Sequence, residues 1–309
     1  MADVASATHV GTRYGKLNQD WCGTLKVGTK AQTTWVGAVL DGHGLMGELA
    51  AQMCGESLLA YLKKNLDGCA NDDIQRILKD AFLAAHESGL KVYDSMPEKY
   101  TYPEGASHAQ EYVIAKHSGV YVAKDCCGDP QPVEFGATAT VAVIRGRELW
   151  LAYVGDSVAV KGVEGSFGFQ GEVVTPCHNG SNLAERDRIS KYFSPYSEFT
   201  EDNYISVAMG EWEGTQLAVT RALSHNLMLT HGVVPEPDFS HHVLGDLDRI
   251  LIVASDGVWD TVDSGEAVRL VADHAYAGPE AAAKELVEHA FRSAGSGTHD
   301  NTTAVVFLF

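Results

Sequence analysis

Basic residues are scarce in this chain: 23 Lys and Arg stand against 41 Asp and Glu, a formal charge of -18 over 309 residues. Nonspecific nucleic-acid binding depends on cations that neutralise phosphates, so nucleic acid is excluded as the primary partner. An anionic membrane surface is disfavoured for the same reason. Long hydrophobic runs are also missing. Apolar stretches such as 250–254 and 305–309 are strand-sized, far below the roughly 20 residues of a membrane-spanning helix, and no transmembrane segment is expected. Residues 1–10 carry an early Asp3, no basic cluster and no apolar stretch. They resemble neither a secretory signal nor a transit peptide, and the mature protein is expected to be the whole chain. The six cysteines, at 22, 54, 69, 126, 127 and 177, never fall in C-x-x-C spacing. That removes the common zinc and redox motifs and suits a reducing compartment, with the cytoplasm as default and nucleus or organelle left open.

What the chain does have is a spread of short stretches rich in Val, Ile, Ala and aromatics, at 33–40, 138–144, 148–154, 157–161, 217–220, 250–255 and 303–309, each expected to be a strand. Between the first two, Ala50, Met53, Cys54, Leu58, Tyr61 and Leu62 recur on one helical face. A second helix, capped by Asn71, presents Ile74, Ile77, Leu78, Ala81 and Phe82. Pro279 sits where a first-turn proline belongs, ahead of the stripe Ala282, Leu286, Ala290 and Phe291. Runs of strands separated by helix pairs imply α+β layering rather than an alternating parallel sheet. No repeat and no compositional break divides the sequence, so one domain over 1–309 is expected.

Acidic residues recur at strand ends. Asp41, Asp156 and Asp256 each follow a hydrophobic strand, while Asp20 and Asp300 precede one. In antiparallel sheets the start of one strand lies beside the end of its neighbour, so all five can meet at one rim. Unpaired carboxylates brought together repel and take up protons unless a cation neutralises them, and oxygen-only ligands select hard ions such as magnesium or manganese. Asp41 is followed by Gly42-His43-Gly44. A residue without a Cβ can bring its carbonyl close to an ion, with His43 beside it.

Eight blocks then resemble, in order, the metal-dependent protein serine/threonine phosphatases of type 2C. They are Asn18-Gln19-Asp20, Asp41-Gly42-His43-Gly44, Gly136-Ala137-Thr138-Ala139, Val154-Gly155-Asp156-Ser157, E-x-x-R-I at 185–189, LAVTRAL at 217–223, ASDGVWD at 254–260 and Asp300-Asn301-Thr302-Thr303. The resemblance implies a four-layer αββα sandwich, two central antiparallel β-sheets flanked by helix pairs, with the metal centre at one end. It implies two Mg2+ or Mn2+ ions bridged by Asp41, the Gly42 carbonyl completing the second site and Asp256 with Asp300 holding the first, helped by Asp20 through water. Asp156, with Asp260, would form a weaker third position. A bridging water would attack phosphoserine or phosphothreonine in a protein substrate, and His43 would protonate the leaving oxygen. Two alternatives stand beside this: a catalytically weakened binding or regulatory module, and a phosphohydrolase of small phosphomonoesters. No feature signals an oligomer, and a monomer is the default.

The chain also departs from the family pattern. Gly15 stands where members usually carry a phosphate-binding Arg, with Arg13 and Lys16 as the nearby candidates. Gln19 replaces a frequent Glu, Val158 an Arg, Ser224-His225 a Gly-Asp pair, and Cys177-His178-Asn179 a segment containing Asp-His. A connection spans 96–135, with a helix expected over 108–124. Residues 192–213 fall where the family has a flap beside the site.

Overall fold

The computed structural model describes residues 2–29, 32–108 and 111–309. Two five-stranded antiparallel sheets face one another. One has the order Asp3–His9, Thr302–Leu308, Asp248–Ala254, Val158–Gly165, Gly168–Val173; the other Asp238–Val243, Glu148–Val154, Ala139–Arg145, Gln32–Leu40, Trp21–Thr29. Because side chains alternate along a strand, each sheet offers one face to the other and one to a helix pair. Val39, Ile144, Leu149 and Leu151 meet Leu251, Val253, Val305 and Phe307 between the sheets. The alternate residues Val141, Val143, Ala152 and Val154 pack on Leu58, Leu62, Leu78 and Phe82 of the helices Gly47–Asn65 and Ile74–Leu90. Helices Ser264–His274 and Pro279–Ser293 cover the opposite face, Pro279 in its first turn as expected. Helices on both sides explain why the central strands read as unbroken apolar runs. At Gly37 the sheets approach so closely that a Cβ would lie 2.6 Å from Val305. The α+β four-layer sandwich is the observed fold, and among the described residues no helix is long and apolar enough to cross a membrane.

Three local expectations fail. Asn71 does not cap the second helix: it opens the short helical turn Asn71–Asp73 ahead of it, and its side chain accepts from Arg145 instead. The helix expected over 108–124 is instead a pair of antiparallel strands, Glu111–His117 and Val120–Lys124, in a four-stranded sheet with Lys99–Thr101 and Gln131–Pro132. His117 pairs with Val120 across a two-residue turn in which Ser118 and Gly119 have φ of 49° and 88°. That left-handed pair matches the twist of a hairpin, and Ser-Gly between β-branched and aromatic residues carried the signal. The strand expected over 217–220 shrinks to Gln216–Leu217. It joins Ser197–Phe199 and Ile205–Val207 in a small three-stranded sheet.

Register places the site. Val39 pairs with Thr140, Ala139 with Val154, and Ala254 with both Val158 and Ala304. The residues just beyond Leu40, Val154 and Ala254 therefore leave the two sheets at one common rim.

Candidate active site

At that rim Asp41, Asp156 and Asp256 each bring a carboxylate oxygen within 4.8 Å of the others. Their backbones are tied down. The Asp41 N–H donates to Thr138 Oγ1 at 3.1 Å, Thr138 N–H returns a bond to the Asp41 carbonyl at 2.9 Å, and the Thr138 and Ser157 hydroxyls meet at 2.7 Å. Asp256 opens the one-turn helix Asp256–Trp259. Beside it a Cβ on Gly257 would lie 2.1 Å from the Asn301 carbonyl. Asn301 accepts from Gln19 N–H at 2.8 Å and donates to the Val10 and Leu17 carbonyls, so it stitches the two chain segments that carry Asp20 and Asp300. Asp20 accepts from Ser255 Oγ at 2.9 Å. Gly42 is buried, and a Cβ there would sit 2.3 Å from the Gln19 carbonyl, which leaves room for no other residue.

The carboxylates hold their protons unusually well. Burial, followed by Asp256, Asp20, Asp300 and Asp156, pushes Asp41 well above the usual carboxylate range. Burial, then Asp156, Asp300, Asp260 and Asp20, does the same to Asp256. Burial dominates in raising Asp20 and Asp156, each to about 6, and Asp260 is raised as well. Three mutually destabilising oxygen donors with no nitrogen or sulfur among them fit a hard divalent cation, which removes the repulsion that protons otherwise relieve. The tight trio differs in emphasis from the ligand set the resemblance implies. Asp156 is one of its three members, and Asp300 is engaged by the Arg13 guanidinium.

The trio opens on a cleft of about 800 Å³. Tyr102 and Tyr112 of the 96–135 insertion wall one side, and Tyr204 with Leu217 of the small sheet the other. Arg13 lines this cleft and pairs with Asp300, whereas Lys16 is exposed outside the lining. Gly15 has φ of 66°, and a Cβ would lie 2.9 Å from the Glu104 carbonyl. An arginine at 15 does not suit this loop, and Arg13 brings a guanidinium to the cleft from two residues earlier. If Arg13 holds the substrate phosphoryl group, Arg13→Ala loses a charge-assisted contact and raises the KM for a phosphopeptide about tenfold at saturating metal. An unaltered KM moves that role elsewhere.

His43 lies on the short strand Gly42–Gly44, which pairs with Phe135–Ala137. Burial first, and His225 second, hold its pKa down at about 3. Its Nε2 lies 2.8 Å from His225 Nε2, the rings stacked with centroids 5.0 Å apart, and His225 Nδ1 lies 2.9 Å from Glu134. Sequence reasoning missed Glu134 and treated His225 only as a departure from the family pattern.

Other motif residues tie the helix Leu183–Phe193 to the 217–223 block and to Asp238. Glu185 accepts from Arg188 at 2.8 Å, Arg221 at 2.7 Å and Thr220 Oγ1 at 2.9 Å, and Arg221 reaches Asp238 at 2.7 Å. Burial works to raise the Glu185 pKa, but Arg221 and Arg188 outweigh it and hold it at about 2. Its stabilisation is therefore present above its unfolded pKa and lost as pH falls toward 2. Glu185→Gln, which leaves two half-buried guanidiniums short of charge, should destabilise the fold by about 3 kcal/mol in chemical denaturation. A change near zero would make the motif decorative.

The Protein phosphatase 2C family model matches residues 114–302. A probable protein phosphatase 2C 52 from Oryza sativa subsp. japonica is 37% identical over 175 residues, covering 56% of this chain and 32% of its own length. Protein phosphatase 2C homolog 2 from Aspergillus flavus is 29% identical over 238 residues, covering 75% of this chain and 43% of its own. The crystal structure of serine-threonine phosphatase 2C from Toxoplasma gondii superposes with a TM-score of 0.71 at 18% identity, over 100% of this chain and 95% of that one, a likeness of fold. Sandwich and acidic rim thus define a phosphatase-2C-like class. With the family model spanning more than half of its residues, the chain belongs to the protein phosphatase 2C family. It spans less than half the length of these curated relatives.

Proposed function

We propose that this chain is a metal-dependent protein serine/threonine phosphatase. The observation that carries the reading is the trio Asp41, Asp156 and Asp256, with oxygens within 4.8 Å, at the floor of a cleft in a family member. Asp41, Asp256 and Asp156, with Asp20, the Gly42 carbonyl and Asp300, would hold two Mg2+ or Mn2+ ions, and Asp156 with Asp260 a third. Divalent cations there supply Lewis-acid polarisation of a phosphoryl oxygen and lower the pKa of nearby water.

The rest falls to the chain. Arg13, on the cleft wall, orients the phosphoryl group with a planar guanidinium. His43 faces the same cleft and gives an N–H proton to the seryl or threonyl oxygen as the P–O bond breaks. Tyr102, Tyr112 and Tyr204 on the cleft lining offer aromatic surface to a bound peptide. The rim of both sheets and the 96–135 and 192–213 segments line this one cleft, which supports a single domain.

The test is turnover of a phosphopeptide with manganese and with chelator. Turnover with manganese alone supports the reading. Turnover of free phosphoserine but not of the phosphopeptide would make the chain a small-molecule phosphohydrolase, and no turnover of either would make it a binding module.

A further inference from the structure

Glu134 and His225 belong to none of the metal-ligating blocks, yet they continue a bonded chain that begins at His43. The His43 Nε2 meets His225 Nε2 at 2.8 Å. His225 Nδ1 lies 2.9 Å from Glu134 Oε2, and Glu134 is itself fixed by the N–H groups of Leu227 at 2.7 Å and Met228 at 3.3 Å. His225 is 1% exposed. The fold makes room for its ring: a Cβ on Gly136 would lie 2.6 Å from His225 Nε2. It also holds strain to aim the ring. Ser224 has φ of 72°, uncommon for a residue other than glycine, and is retained by its N–H to His86 Nδ1 at 3.0 Å and its hydroxyl on Cys54 Sγ at 3.0 Å. The far end of the chain of bonds is the Glu134 carboxylate, an acceptor.

From this geometry we propose that His225, anchored by Glu134, is a positioning residue for leaving-group protonation by His43. The proposal rests on the phosphatase reading above. Both rings line the cleft, and the Glu134–His225 contact fixes the imidazole that His43 Nε2 meets. As the P–O bond breaks, its electron pair stays on the seryl or threonyl oxygen, which takes a proton from the His43 ring, and the ring recovers a proton from solvent once the product leaves. The arrangement stands where the family pattern has Gly-Asp: the His225 imidazole occupies that block and meets a carboxylate from the link between strands Gln131–Pro132 and Phe135–Ala137.

Leaving-group dependence tests this. A seryl oxygen needs a proton to depart, whereas p-nitrophenolate leaves without one. His225→Ala should therefore lower the ratio of phosphopeptide to p-nitrophenyl phosphate kcat by about 10²-fold with manganese. His43→Ala should lower it similarly, and the double variant should go no further, because residues acting as a unit are not additive. His225→Gln, whose amide can reach His43, should recover part of the ratio. Equal losses on both substrates, as a purely structural role would give, overturn the proposal, as does an additive double variant. A parent enzyme that hydrolyses neither substrate removes the phosphatase reading itself. An active parent with an unaltered ratio in the His225 variants removes only the positioning role.

Discussion

Asp256→Asn is expected to do two opposite things: cut manganese-dependent phosphopeptide turnover about 10³-fold, and raise the melting temperature of the metal-free protein. The first follows from losing a charged oxygen from the trio, since cation stabilisation of the reacting phosphoryl group contributes several kcal/mol and each 1.4 kcal/mol is about tenfold in rate. The second follows from burial, and after it repulsion from Asp156, Asp300, Asp260 and Asp20, which together push Asp256 well above its ordinary range. Asparagine keeps the shape and removes the charge. In a chain of this size, each kcal/mol regained shifts melting by about 2–4 °C. Turnover that survives the substitution would take Asp256 out of the site. An unaltered metal-free melt would mean that the cluster costs the fold nothing.

Metal stabilisation should grow steeply with pH. Asp20 and Asp156 rise from 3.8 to about 6 in the folded, metal-free protein. Between those values the native state holds protons the unfolded chain has released, so this contribution to stability falls as pH rises, and stays lost above. Buried histidines work in the other direction. Burial lowers His43, His86 and His242, so each adds stability as pH rises toward 6.5. The raw melting temperature mixes the two, and the difference between manganese and chelator separates them. A cation must displace protons from the carboxylates, so that difference should be small at pH 5 and reach several degrees or more at pH 7.5. A difference independent of pH would place the ion away from these aspartates.

Much of the site was legible because its logic is positional. A strand-final aspartate in an antiparallel sheet has few places to go, and Asp41, Asp156 and Asp256 came together at 4.8 Å or less through register alone. The sheets and helix pairs were legible for a related reason, since burial on both faces leaves continuous apolar strands. The 108–124 segment was misread because its hairpin turn is a Ser-Gly pair rather than the commoner Asn-Gly. Glu134 lay hidden inside the same insertion. Its contact with His225 spans 91 residues and depends on the left-handed Ser224, and no local spacing reveals either. Likewise the Arg13–Asp300 pair joins opposite ends of the chain, and only the structure shows that the guanidinium absent at Gly15 reaches the cleft from Arg13.

Everything functional here depends on the acidic rim binding divalent ions at the expense of protons. Calorimetric titration of Mn2+ into the chelator-stripped protein at pH 6, repeated in buffers of different ionisation enthalpy, measures both at once. Saturable binding with net proton release, both diminished in Asp256→Asn, is the predicted result; binding without proton release, or identical isotherms for parent and variant, would contradict it.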